Sequence, residues 1–243
     1  MKKIGIKIAC FSLLFLIKSS YAFNVDKMFV IADKKGNGII TLNNDESRPI
    51  FITASIQELK IEEGVNILRK DYNRDNIDDW KISITHPKLV LKSGESRDIG
   101  IRSLCHNVSC DDSADLMFRL PFSPQYYSED KSNSNSLEVN YGFAPIYVIP
   151  TSKPSYSYNI VNYGDKLLVD NKSNTILRFF VNSCSDNNKI KCRQRYTLLA
   201  GRKKTFNLPI EIQSEHLDVV VTSHDRSYHR EETVKRSNQD DKN

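Results

Sequence analysis

Few residues in this 243-residue chain are of types that do chemistry, and their spacing narrows what that chemistry is. Cys105 and Cys110 are spaced C-x4-C, and Cys184 and Cys192 C-x7-C. Such pairs can oxidise locally or join a metal site. Zinc needs a tight ligand cluster, and neither spacing comes with a matching histidine pair. Two disulfides, Cys105–Cys110 and Cys184–Cys192, are therefore preferred over metal or free thiols. The five histidines (His86, His106, His216, His224, His229) are scattered. The acidic pairs Asp78-Asp79 and Asp111-Asp112 lie in polar stretches, where surface solvation accounts for them better than general acid–base work. There is no G-x-S-x-G elbow, phosphate loop, H-E-x-x-H or G-x-G-x-x-G, and Gly36-Asn37-Gly38 reads as a turn. The expectation is a non-enzyme without cofactor or metal.

The N-terminus sets the compartment. Residues 1–22, MKKIGIKIACFSLLFLIKSSYA, have a basic start, a short apolar run and Ser20-Tyr21-Ala22 as a small-x-small site. This is the pattern of a secretory signal peptide cleaved after Ala22. Lys18 interrupts the apolar run well short of the ~20 residues that span a bilayer. Removing the segment takes away four of 35 basic residues and no acid, leaving 31 against 30, a net of +1. The basic character of the chain belongs largely to the signal, so nucleic acid is not an expected partner. Cys10 leaves as well, and the four remaining cysteines are an even number in an exported chain, as disulfides require.

One stretch could bind rather than react. In LEVNYGFAPIYVIP (Leu137–Pro150), Leu137, Val139, Tyr141 and Phe143 alternate with Glu138, Asn140 and Gly142. Period two places the four apolar side chains on one face of a strand. From Ile146 to Ile149 the run is continuously apolar, and Pro150 ends it. The preceding SEDKSNSNS is polar and Ser/Asn-rich, as a flexible loop would be. The apolar row either covers the strand's own core or is lent to another protein.

The elements that must position this row are strands. Phe29–Ile31 and Ile39–Leu42 flank a turn, Pro49–Leu59 alternates, and Trp80–Ile84, His86–Leu104 and Leu116–Leu120 supply further strands around the polar Arg69–Asp79. No segment sustains a helical period. After Pro150, TSKPS reads as a stiffened linker. The β texture then resumes through Tyr156–Val161, Lys166–Asp170, Thr175–Ser183, Arg195–Leu199, Lys204–Leu208 and Leu217–Thr222. The predicted fold is all-β, two immunoglobulin-like β-sandwich domains in tandem. The predicted boundaries are 1–22 signal, 23–150 first domain ending in the apolar row, 151–223 second domain, and 224–243 a disordered charged tail.

With export, two sandwiches and an apolar row closing the first, the chain resembles the periplasmic pilus chaperones of the chaperone–usher pathway, in their alternate branch of common-pilus and coli-surface-antigen type. The resemblance is carried by YGFAPIYVIPTSKPSYSYNI, by NTILRFFVNSC (Asn174–Cys184) and by KCRQRYTLLAGRKKTFNL (Lys191–Leu208). DDWKISITHPKLVLKSGESRDIGIRSL matches more loosely. It implies two domains in a boomerang arrangement. It also implies that Leu137, Val139, Tyr141 and Phe143 form a donor strand completing pilus subunits that lack their last strand. Each buried apolar side chain would contribute about 1.5–3 kcal/mol before ordering costs.

The implied partners are fimbrial subunits and an outer-membrane usher, in the periplasm. Self-capping by association is expected of the free protein, because an exposed apolar strand edge aggregates. The family's second feature is a basic pair anchoring the subunit's terminal carboxylate. The lysine that the best-known branch carries about five residues before the closing proline is replaced here by Pro145. Arg102, Arg119 and Lys27 are the candidates, an arginine fork suiting both carboxylate oxygens. The alternative reading is a secreted structural or adhesive β-sandwich, either a pilus subunit or a carbohydrate binder. A subunit would bring one incomplete sandwich and an N-terminal extension, and a sugar binder exposed loop aromatics, for which only Tyr126-Tyr127 stands out.

Overall fold

A computed structural model of the chain describes residues 22–106, 108–126, 141–184 and 192–237. The predicted signal through Tyr21, the SEDKSNSNS run, Leu137, Val139 and Tyr127 lie outside the described residues. The first half contains β1 (Phe23–Val25), β2 (Phe29–Ile31), β3 (Gly38–Asn44), β4 (Ile50–Ala54), β5 (Gln57–Glu62) and β6 (Asn66–Asp71). It continues with β7 (Ile82–Ile84), β8 (Lys88–Leu91), β9 (Ser96–Ser103), β10 (Leu116–Arg119), β11 (Phe122–Tyr126) and β12 (Ile146–Ile149). The second half contains β13 (Tyr158–Asn162), β14 (Lys166–Asn171), β15 (Leu177–Asn182), β16 (Arg193–Leu198), β17 (Lys203–Asn207), β18 (His216–Ser223) and β19 (His229–Lys235).

The first half stacks sheets of order β1-β3-β9-β7, β2-β12-β10-β5-β6 and β11-β4-β8; the second packs β13-β14-β17 on β16-β15-β18-β19. Alternation explains why these segments are strands. Ile50, Ile52 and Ala54 turn inward on β4, Ile99 and Ile101 on β9, and Leu177, Phe179 and Val181 on β15. The two main cores share no residue: one runs from Phe23 to Tyr147, the other from Leu167 to Val221. Two sandwiches in tandem are therefore present, as the pattern of short strands predicts.

Several local expectations change. The Pro49–Leu59 run is two strands, because Ser55 and Ile56 carry the chain from one sheet to another. Leu120 and Pro121 do the same on the partner, and the register is kept: Met117 faces Leu59 and Phe122 faces Ala54. β2 and β3 do not form a hairpin. Asp33 accepts the N–H groups of Lys35 and Asn37 (2.8 and 2.9 Å), turning a corner that sends β2 alongside β12 and β3 into the other sheet. Part of the polar Arg69–Asp79 stretch is the fully exposed edge strand β6, followed by a 3-10 helix at Arg74–Asp79. The charged tail is also corrected. Residues from His229 to Lys235 pair antiparallel with β18, and Ser237 N–H reaches the Asn162 carbonyl at 2.8 Å. An edge strand that faces water on one side needs few apolar residues, so its composition imitates disorder. Residues 238–243 lie outside the described residues.

Each sandwich is locked by the same device. The buried Asn44 donates to the carbonyls of Arg48, Leu91 and Lys92 (3.0, 3.1 and 3.0 Å), and its oxygen accepts the Glu46 N–H. The buried Asn171 donates to Thr175, Leu198 and Leu199 (3.0, 3.2 and 2.9 Å) and accepts the Ser173 N–H. Each side chain ties the end of one strand to its own following turn and to a Leu-x-x-Gly corner. The glycines of these corners, Gly94 and Gly201, sit at φ 72° and 69°. Asn44→Ala or Asn171→Ala would strand several buried carbonyls, so each should cost about 3 kcal/mol in denaturant unfolding. Asn43→Ala, on the solvent side of β3, should change little.

Candidate functional site

The site is built around β12. It pairs antiparallel with β10 and parallel with β2, so Gln57, Arg119, Ile146 and Phe29 form one row across the sheet. Upstream of β12 each strand carries a proline at the same place, and the ladder keeps a single bond there, from the Leu120 N–H to the Pro145 carbonyl at 2.9 Å. Pro145 lies opposite Leu120 and Pro121 opposite Ala144, so the predicted single long strand is broken. Two-way pairing resumes at Phe143, which exchanges main-chain bonds of 2.7 and 3.1 Å with Phe122. Four residues forward from Phe118 to Phe122 match four back from Tyr147 to Phe143, so the register is continuous.

This register decides what the apolar row faces. Phe143 and Ile149 pack on the first core, to which Tyr147 belongs, and the rings of Phe143 and Phe23 are 5.6 Å apart. Phe143 is thus an anchor within its own domain. Tyr141, 77% exposed, is the free described member of the row. On the other edge, the N–H and C=O groups of Gly142 and Ala144 have no partner among the described residues. Unpaired main chain beside an exposed aromatic is an edge ready to accept a strand.

Below this edge the domains meet. Leu59, Met117, Val148 and Ala200 are buried together, with Phe29, Ile61, Ile146 and Leu199 around them, so the outer face of β5, β10 and β12 rests on the β16–β17 corner. The β5–β6 turn adds polar contacts: Lys203 N–H and Arg202 Nη1 donate to the Gly64 carbonyl at 2.8 and 3.0 Å. Gly64 has φ 75°, and a Cβ on it would lie 2.9 Å from the Lys203 Cβ, so glycine is required twice over. Asp115, 5% exposed, closes the junction. Its carboxylate accepts Thr151 N–H (3.0 Å), Ile176 N–H (2.8 Å) and the Thr175 hydroxyl (3.1 Å). Asn174 binds the carbonyls of Ser113 and Lys153 at 2.7 and 2.9 Å. The predicted linker is thus stapled at both ends, and Asp112 accepts Ser152 N–H at 2.9 Å as well.

The three candidate cations do not converge. Arg119 shares its row with Ile146 and Phe29 at the rim of the interdomain apolar cluster, and its guanidinium donates to Gln57 Oε1 at 2.7 Å. Among the described residues no carboxylate pairs with it. Lys27 is exposed, 3.1 Å from Asp26, two positions before Phe29. Arg102 belongs elsewhere. Ile99, Ile101 and Ser103 turn inward on β9, so Arg102 points outward from the opposite sheet. Both cysteine pairs are bridged, with Cα separations of 5.4 and 4.9 Å. Among the described residues no group of three or more His, Cys, Asp or Glu is arranged to hold a metal, and no helix is long and apolar enough to cross a membrane.

Comparison with known proteins places the chain in a family. The family described as CS5 fimbrial protein N-terminal domain matches residues 25–150, just over half of the chain. The chain belongs to that family. A relative from Escherichia coli, described as an uncharacterized 25.9 kDa protein in the CS5 3′ region, is 27% identical over 216 residues, covering 87% of this chain and 91% of its own. The fold of this CS5-family chain is shared with solved chaperones. The structure of Salmonella enterica SafA pilin in complex with the SafB chaperone matches with a TM-score of 0.54 at 11% identity, over 89% of this chain and 98% of that one. The class 5 fimbriae chaperone CfaA matches at 0.51 and 13% identity, over 87% and 98%.

Asp115 was not singled out in the sequence, where it is one acid in a loop just before β10. Its role depends on contacts from Thr151 and Ile176, which only the fold supplies. Burial outweighs its hydrogen bonds and holds its carboxyl above the usual carboxylate range. The native state therefore binds the proton more tightly than the unfolded chain. The resulting stability is fully present below the unfolded value of about 3.8 and is lost as pH rises through the higher native value. The stability of the wild type minus that of Asp115→Asn, followed by denaturant unfolding across pH, should fall over that interval and then level.

Proposed function

We propose that this protein is a periplasmic chaperone that binds fimbrial subunits by strand addition and delivers them to an outer-membrane usher. The observation that carries the reading is the unpaired edge at Gly142 and Ala144 beside the exposed Tyr141, at the mouth of an apolar row. It occurs in a fold shared with chaperones, one of which, SafB, was solved in complex with a pilin. An incomplete subunit sandwich would pair with this edge through its main chain and take the apolar side chains into its groove. On this reading Leu137, Val139 and Tyr141 enter the subunit, while Phe143 holds the base of the strand to the chaperone's own core.

Arg119 is the basic residue best placed for the subunit's terminal carboxylate, with Lys27 as a second donor on the β2 side. Its present partner is a neutral glutamine, which a carboxylate would displace favourably, since charge-assisted bonds are about twice as strong. Residues 1–22 act as a signal cleaved after Ala22, and the chain works without ATP, the unfinished fold of the subunit supplying the driving force for later exchange. The free protein shields its apolar edge by self-association.

The test is a periplasmic pull-down of the tagged chain beside a Val139→Asp/Tyr141→Asp variant, with bound proteins identified by mass. The wild type should retain a small exported β-rich protein that the folded variant loses. Equal retention by both, or none by either, would shift the reading to a secreted structural or adhesive sandwich. Arg119→Ala should weaken retention of the same protein roughly tenfold or more without lowering the melting temperature.

A further inference from the structure

Among the described residues the intramolecular ladder that carries the apolar row has its last bonded rung at Phe143, and the residue opposite the next position bears on the reason. Phe122 and Phe143 exchange both of their main-chain bonds. Main-chain groups of successive strand residues point to opposite sides, so Pro124 turns toward the row as Phe122 does and would meet Tyr141 at the next rung. The intervening Ser123 and Gln125 face Thr53 and Phe51 of β4 instead. Proline has no N–H, so the bond from position 124 to the Tyr141 carbonyl cannot form. Neither main-chain group of Tyr141 has a partner among the described residues. Between them Gly142 crosses so close that a Cβ would lie 2.6 Å from the Phe122 carbonyl oxygen and 3.5 Å from Pro124 Cδ.

We infer that Pro124 is a positioning residue: by withholding one donor it ends the ladder at Phe143 and leaves the main chain of Tyr141 unpaired until a partner strand is added. The inference rests on the strand-addition reading above. A segment ordered only on binding holds its partner less tightly than a preordered one. Pro124 therefore keeps the complex weak enough for the subunit to be passed on. The proline costs β11 nothing on its other side, since position 124 presents no group to β4.

The test restores the donor with Pro124→Val, and with Pro124→Ala as the less intrusive variant should valine perturb folding. In the free full-length protein the Tyr141 amide should exchange near its intrinsic rate in the wild type. In the variants the new amide at position 124, bonded to the Tyr141 carbonyl, should exchange about tenfold below its intrinsic rate, and the Tyr141 amide, completing the pair, should slow with it, while the β4 amides keep their rates. The complex with the exported protein recovered in the pull-down should dissociate about fivefold more slowly, as one added main-chain bond implies. Protection of Tyr141 already in the wild type, or unchanged exchange and release in both variants, would overturn the inference. The exchange measurement needs no partner, so a wild type that retains nothing removes the strand-addition reading while the role of Pro124 in the ladder is still decided.

Discussion

A single buried carboxylate holds the two halves of this molecule in register. Asp115 stands at the entrance to β10, receives the first residue after Pro150, and caps the start of β15 in the second sandwich. Burying an ionisable group is unfavourable unless donors surround it, and here three converge from two segments, Thr151 after β12 and Thr175–Ile176 before β15. The apolar cluster around Met117 and Val148 adds area to the junction but little direction, because dispersion and hydrophobic burial are not directional. Direction comes from the carboxylate, from Asn174 and from the carbonyl of Gly64. The relation between the first sheet and the β16–β17 corner is therefore specified by polar contacts and stabilised by apolar ones.

The same division of labour recurs inside each sandwich. Asn44 and Asn171 occupy matching places, each at the end of a strand, each binding its own following turn and a Leu-x-x-Gly corner. The sequence segments are comparable once aligned on these residues: Asn44, Arg48, Ile50 and Ile52 against Asn171, Thr175, Leu177 and Phe179. An internal correspondence of this kind was present in the letters but is too sparse to detect without the hydrogen bonds that give the asparagines their meaning. Packing alone would allow the strands to slip, and a fully satisfied buried amide forbids it.

What the sequence made legible is what local physics controls. Alternation in Ile50–Ala54 and Leu177–Val181, the two cysteine spacings and the all-β texture translate directly into strands and bridges. Features that depend on distant partners did not. Ser55 and Pro121 carry paired strands between sheets together, which neither stretch announces alone. β19 is charged because one of its edges faces water, and β6 is exposed at every position, so composition placed both among loops. For the candidate site, the apolar alternation was readable, but the inward turn of Phe143 and the outward turn of Arg102 follow from register, which only pairing defines.

The stapled connection between the domains has a mechanical consequence. β12 runs straight into Thr151 and Ser152, whose amides and hydroxyls are held by Asp112 and Asp115 of the first sandwich, and Ser155 is held by Asn174 of the second. There is no slack in which a rotation of the second domain could be absorbed. Any torque on it would travel along this taut segment into β12 and so to the edge at Ala144 and Gly142. The second domain then acts as a lever arm on this unpaired edge, and a body that grips both would feel the two move as one.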